Sequence, residues 1–247
     1  MTLDWSRAAV LSTTEFEVCW EFLRLGETPW QLDPPRSGLT ALERDTIVTG
    51  AFVDMRRRGL AGADEPRPDI VDRMRMLARP EWSADVRFRA DTLVAGVVAC
   101  VGRRCTLAVR HGNEIALLAL ASEDALRALL ELVGVTEPGR GPQLRLLAAT
   151  VVPDATSAAE LVNGGMAADD AAALAAACRG IVLAGQLGAA ASTGDGSRVR
   201  RAPHVIGFHR GDAGTFSTIR RGDVVTVAPT GRDGLLAELA DLVAAVR

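Results

Sequence analysis

Leu93-Val-Ala-Gly-Val-Val-Ala-Cys-Val-Gly-Arg-Arg-Cys-Thr-Leu-Ala-Val-Arg-His-Gly-Asn-Glu-Ile-Ala-Leu-Leu-Ala-Leu120 is the stretch on which the fold turns. Its apolar runs are 6 to 9 residues long and broken by short Gly-containing punctuation, which predicts strands over 93–101, 105–110 and 114–120 rather than helices. Residues 83–89, with Val86 and Phe88 in alternation, add a strand in front, and the set reads as an antiparallel meander. Gly102-Arg103 suits a two-residue hairpin turn with Gly at its first central position. That turn would set Cys100 directly across from Cys105 on one sheet face. A bridge or a metal site could use the pair, although Cys is commonly just a small buried hydrophobe, and Cys19 and Cys178 stand at no spacing that completes a metal set.

Beyond the meander, Ser122-Glu-Asp opens a helix carrying Leu126, Leu129, Leu130, Leu132 and Val133, and Gly134 ends it. The pattern then starts again. Shifted by 110 positions, Arg220-Arg-Gly-Asp-Val-Val225 falls on Arg110-His-Gly-Asn-Glu-Ile115, and Leu236, Leu239, Leu242 and Val243 fall on Leu126, Leu129, Leu132 and Val133. Residues 205–219 would repeat the hairpin around Gly102, with Asp212-Ala-Gly214 as the turn. Leading strands are expected near 15–22 and 144–151. The fold class expected is therefore α+β: a quasi-two-fold repeat of two halves, about 12–134 and 141–247, sharing a central antiparallel sheet within a single domain over 1–247.

The clearest helix start is Thr40-Ala-Leu-Glu43, a capping box. Ile47, Val48, Ala51, Phe52 and Met55 follow at helical spacing until Gly59, with Leu60 folding back on Met55. Arg56, Arg57 and Arg58 then lie in the last turn, where positive charge suits the carbonyl end of the helix dipole better than it suggests a phosphate site. A second helix is expected over 67–78, with Ile70, Met74 and Leu77 on one face before Pro80. Between the halves, Asp154 is expected to cap a helix running to Val162 before Asn163-Gly-Gly165. An Ala-rich helix follows over 167–178, then a strand over 181–191 and a loop over 192–197.

Composition narrows the function. All 28 basic residues of the 247 are Arg, the net charge is −3, and the ten aromatics are six Phe and four Trp. No global field draws in a phosphate backbone, which argues against nucleic acid. Met-Thr-Leu-Asp-Trp5 lacks the positive charge and apolar run of a secretory leader. Residues 171–192 are apolar but carry Arg179 and Gln186, so no membrane span is expected. The expected setting is the cytosol, with all four cysteines reduced.

A catalytic set is hard to assemble. His204 and His209, five apart in an expected strand, would point to opposite faces, and His111 sits by a turn. A triad of Ser192 or Ser217 with His209 and Asp212 can be drawn, which keeps a hydrolase using His209 and Asp212 as an alternative. Gly185-Gln-Leu-Gly188 follows an apolar strand but lacks the third glycine and the helix of a dinucleotide loop. Asp169-Asp170 suit the first turn of their helix. No enzyme activity, cofactor or metal is expected.

Several segments in order resemble the EspG family: Trp20-Glu-Phe-Leu-Arg-Leu-Gly-Glu-Thr-Pro-Trp30-Gln-Leu, Gly38-Leu-Thr-Ala-Leu-Glu-Arg44, Arg58-Gly-Leu60, Leu77-Ala-Arg-Pro80 and Arg201-Ala-Pro-His-Val-Ile-Gly-Phe208. The resemblance runs nearly the full length. It departs after Phe208, where the family commonly has an aromatic and then Asp-Thr, and this chain has His209-Arg-Gly-Asp212. The break between 89 and 93 is also shorter than the family's usual loop. The resemblance implies a cytosolic chaperone of type VII (ESX) secretion that binds PE–PPE heterodimers before export. It also implies helical bundles at both ends of the sheet and a client surface on the sheet and C-terminal bundle. On this sequence that surface corresponds to Leu161, Asn163, Met166 and Leu174, with Arg200 and Arg201 as a polar rim. The same residues have plainer readings as core, C-cap and solvated edge. A structural adaptor of the secretion system is the further alternative, and a monomer or weak homodimer is expected.

Overall fold

Residues 3–34, 38, 40–134, 137–151, 157–192 and 199–247 are described by the structure, a computed structural model. The chain opens with a strand, β1 (Ala9–Ser12), and a helix, α1 (Thr13–Phe22), where a strand over 15–22 was expected. Phe16, Val18, Trp20 and Phe22 alternate as strand residues would. Ser12 overrides that pattern: its hydroxyl accepts from the Glu15 amide at 3.1 Å while the Glu15 carboxylate accepts from the Ser12 amide at 2.7 Å. This capping box satisfies two end groups of the helix at once.

The next helices, α2 (Ala41–Arg57) and α3 (Pro68–Ala78), match their sequence signals. Thr40 and Glu43 form the expected reciprocal cap, and Gly59 is left-handed at φ 68°, letting the Leu60 amide donate to the Met55 carbonyl at 2.8 Å. The arginine triplet fastens α2 locally. Arg56 donates to the Ala63 carbonyl, Arg57 pairs with Asp54, and Arg58 reaches Glu15 and the Val10 carbonyl.

The meander is β2 (Trp82–Arg89), β3 (Leu93–Val101), β4 (Arg104–His111) and β5 (Glu114–Ala121), followed by α4 (Ala125–Val133), which Gly134 ends at φ 64°. The Gly102-Arg103 turn sets Cys100 opposite Cys105, and the two form a disulfide. This corrects the expectation that all four thiols are free. Val101 and Arg104 close the turn, so the next pair inward is the close, non-hydrogen-bonded kind, with a Cα separation of 4.1 Å.

The second half comprises β6 (Leu144–Leu147), α5 (Ala158–Asn163), α6 (Ala168–Ala177), β7 (Leu183–Ser192), β8 (Val199–Arg201), β9 (Ile206–Gly211), β10 (Gly214–Arg221), β11 (Val224–Pro229) and α7 (Arg232–Ala244). Asp154 and residues 193–197 of the loop expected over 192–197 lie outside the described residues, Ser192 is instead the last residue of β7, and the observed cap of α5 is Ser157, whose hydroxyl accepts from the Glu160 amide. Gly164, not Asn163, is the C-cap of α5. Residues 171–192 are divided between α6 and β7. His204 precedes β9 rather than lying in it, because the strand starts only at Ile206.

All these strands form one eleven-stranded sheet in the order β1-β5-β4-β3-β2-β7-β9-β10-β11-β6, with β8 added to β7, and every strand ladder is antiparallel. The middle of the sheet is the β2–β7 pair, in register from Trp82↔Ala191 to Arg89↔Ala184. One face packs under α4 and α7, where Val86, Leu107, Leu187, Ile206 and Phe208 meet Leu129, Leu130, Leu239 and Leu242 in a core drawn from both halves. The opposite face carries two separate cores. Phe16, Trp20, Met55, Ile70 and Met74 cover Val97, Ile115 and Leu117 at one end, and α5 and α6 cover the other. Between them Asp85 is buried on β2, accepting from Gln31 Nε2 at 3.2 Å.

Candidate apolar docking groove

Strand alternation dictates what α5 and α6 sit on. Leu144 and Leu146 of β6, Val225 and Val227 of β11 and Phe216 of β10 are buried on one face, and Leu161, Met166, Ala171 and Leu174 pack against them. The helices themselves are short and Ala-rich. Gly165, at φ 93°, reverses the chain between them, and the Met166 amide donates to the Leu161 carbonyl at 3.1 Å. Asp169 and Asp170 occupy the first turn of α6, favourable to its dipole.

Small side chains leave the hairpin incompletely seated. A groove of about 940 Å³ runs between it and the sheet, floored by Leu146, Val225, Val227, Thr218 and His209 and walled by Leu161, Ala172, Leu174, Ala175 and Cys178. Arg179, Gly180 and Ile181 also line it. Nearby, Leu147, Ile181 and Val182 stand exposed, Val182 at 64%. Cys178 is exposed at this wall, and the partial burial of its thiol raises its pKa above the ordinary range.

Among the six residues singled out from sequence, Leu161 and Leu174 line this groove, Met166 is buried beneath the same hairpin, and Asn163 is exposed on the last residue of α5. The two arginines lie elsewhere. Arg200 donates from Nε to the Val246 carbonyl at 3.1 Å, fastening the end of the chain, and the Arg201 guanidinium stacks over Trp30 at 4.7 Å. Sequence reasoning missed Val225, Val227 and Ala175 as groove residues. Alternation along β11 carries that signal, but only once its partner layer is known.

Neither serine of the triad drawn from sequence meets His209. Phe216 pairs with His209, so the neighbouring Ser217 points to the opposite face, where its hydroxyl donates to Glu238 Oε1 of α7 at 3.0 Å. Ser192 donates instead to the Pro80 carbonyl, and the Asp212 side chain rests on Gly180. Burial lowers the basicity of His209, partly offset by its bond to Ala177. Among the described residues no three His, Cys, Asp or Glu are grouped to hold a metal ion. Gly185 and Gly188 lie inside β7, so the Gly-rich run is a strand and not a phosphate loop.

A sequence model of the EspG family matches residues 12–241. The chain belongs to the EspG family. Among solved structures, that of the Mycobacterium tuberculosis type VII secretion system chaperone EspG5 in complex with PE25-PPE41 dimer superimposes with a TM-score of 0.76 at 14% sequence identity, covering 97% of each chain. No curated protein sequence matches. The fold of this EspG-family chain is thus shared with EspG5 over almost its entire length.

Proposed function

We propose that this chain is a cytosolic chaperone of type VII secretion, which binds PE–PPE heterodimers, keeps them soluble for export and catalyses no reaction. The observation that carries the reading is membership of the EspG family over residues 12–241, seconded by a fold shared with EspG5, itself solved bound to a PE–PPE dimer. The separation of Ser217 from His209 across the sheet supports a non-catalytic role. No helix among the described residues is long and apolar enough to cross a membrane.

The client surface proposed is the α5–α6 hairpin with its groove, using Leu161, Asn163, Met166 and Leu174. Arg200 and Arg201 mark the margin of the sheet at β8. An apolar helical tip entering the groove would cover Val182 and Leu147 as well, and an interface of standard size buries about 800 Å² on each partner. The scaffold itself we read as one domain of two quasi-two-fold halves, about 12–134 and 141–247, with helical bundles at either end. Strand order supports this: β1-β5-β4-β3-β2 in one half is answered by β6-β11-β10-β9-β7 in the other, and the turn glycines Gly112 and Gly222 have φ of 58° and 59°.

Co-expression with each PE–PPE pair of the same genome tests the function. A soluble, copurifying complex is expected with at least one pair, and failure with every pair rejects the proposal. Cys178 reports the surface in the same preparation, because Cys19 is buried and the other two cysteines are bonded to each other. Client binding should slow its alkylation by a maleimide at least severalfold; an unchanged rate would move the interface elsewhere.

A further inference from the structure

His209 is placed for recognition rather than for packing alone. It is the only side chain that β9 presents to the groove, since the positions two before and two after it are Gly207 and Gly211. Gly211 has no room for a side chain: a Cβ there would stand 2.4 Å from the Arg179 carbonyl oxygen. The imidazole lies nearly parallel to the Phe216 ring, with centroids 5.5 Å apart.

Its two nitrogens have different employment. Nε2 lies 3.0 Å from the Ala177 carbonyl oxygen, which only accepts, so Nε2 carries the hydrogen. The neutral ring then offers a bare lone pair at Nδ1. Among the described residues no group bonds to Nδ1, it is not one of the fully buried unpartnered atoms, and the residue lines the groove. The residue as a whole is only 8% exposed. An acceptor in such a setting is costly to cover with hydrocarbon and favourable to cover with a donor. The groove's lining is mainly alkyl: Leu146, Val225 and Val227 in the floor and Ala172 and Ala175 in the wall.

Resting on the chaperone reading above, we propose that His209 Nδ1 is the hydrogen-bond acceptor by which the groove selects its client: the client's helical tip is apolar and carries one hydroxyl or amide N–H that binds this atom. A tip ending only in alkyl groups strips water from Nδ1 and replaces it with nothing, so it is rejected.

Two variants separate this role from a structural one. His209→Gln can still place an N–H against the Ala177 carbonyl but has no acceptor at the δ position. His209→Asn keeps an acceptor there and loses the reach to Ala177. With a copurifying PE–PPE heterodimer as the titrant in calorimetry, the Gln variant is expected to bind about tenfold more weakly than wild type and the Asn variant within about threefold. The opposite order, or a Gln variant within twofold of wild type, overturns the proposal. Should the Gln variant fail to fold, the imidazole nitrogen resonances of the wild-type chain decide: Nδ1 should shift on adding the dimer, and an unmoved Nδ1 signal in a saturated complex is equally fatal. A wild-type chain that binds no dimer removes the chaperone reading and this inference together, whereas binding without involvement of Nδ1 removes only the inference.

Discussion

Gly185→Ala at the centre of the sheet would strain the β2–β7 seam. Gly185 of β7 lies between Phe88 of β2 and Phe208 of β9 in register. A methyl group added there would sit 2.4 Å from Phe88 Cβ, 2.5 Å from the Arg87 carbonyl oxygen and 2.8 Å from Phe208 Cζ. The Phe208 ring can swing, but the other two atoms are backbone or fixed to it, so β2 and β7 must part by about 1 Å to restore ordinary contact. Overpacking of this kind costs about 1–3 kcal/mol, and an obstacle made of backbone belongs at the upper end. The stiffer unfolded chain returns up to about 1 kcal/mol, leaving a net loss of roughly 2. With a urea dependence near 3 kcal/mol per molar for a chain of this size, the unfolding midpoint should fall by about 0.7 M. Tryptophan fluorescence and far-ultraviolet circular dichroism across a urea series would measure it. A midpoint within about 0.2 M of wild type, or above it, would refute the idea that the β2–β7 seam is closed tightly at this glycine.

Gly50→Ala should act in the other direction: Gly50 is exposed inside α2 with nothing within 4 Å of an added Cβ, so the same urea series should show a gain of about 0.5–1 kcal/mol. Asp85→Asn should stabilise the protein at pH 7. Burial holds the Asp85 carboxyl above its ordinary range against the opposing pull of Gln31 and Arg201, so the folded chain binds the proton more tightly and wild-type stability declines as pH rises through that raised value. In thermal melts the variant's advantage should therefore shrink toward pH 4, and a less stable variant at pH 7 would contradict this. Reducing Cys100–Cys105, whose partners are five positions apart, should cost about 2 kcal/mol and lower the melting temperature by roughly 4–8 °C, a shift absent from a Cys100→Ser/Cys105→Ser double variant.

Local signals were legible where the chain's own neighbours decide the outcome. The Gly102-Arg103 turn fixed the pairing of Cys100 with Cys105, and the Thr40–Glu43 box and Gly59 bounded α2. Residues 15–22 misled because their alternation imitates a strand, while the Ser12–Glu15 cap that decides for helix lies just before the apolar run. The groove was legible only in part. Leu161 and Leu174 could be placed on their helices, but a floor made of β6, β9, β10 and β11 depends on pairings between distant segments, which composition and period do not record. His209 drew notice only as a possible member of a triad, since its bond to Ala177 appears only when α6 is laid over β9.

The core beneath α4 and α7 takes residues from β2 to β5 and from β7 and β9 and binds the sheet into one body, while the α5–α6 hairpin stands on the other side of the sheet with a core of its own. Cohesion and the apolar groove thereby fall on opposite sides of a single plate. Substitutions along α5 and α6 can therefore reshape the groove without loosening the core that holds the sheet together, a division of labour that lets one surface vary while the architecture stays put.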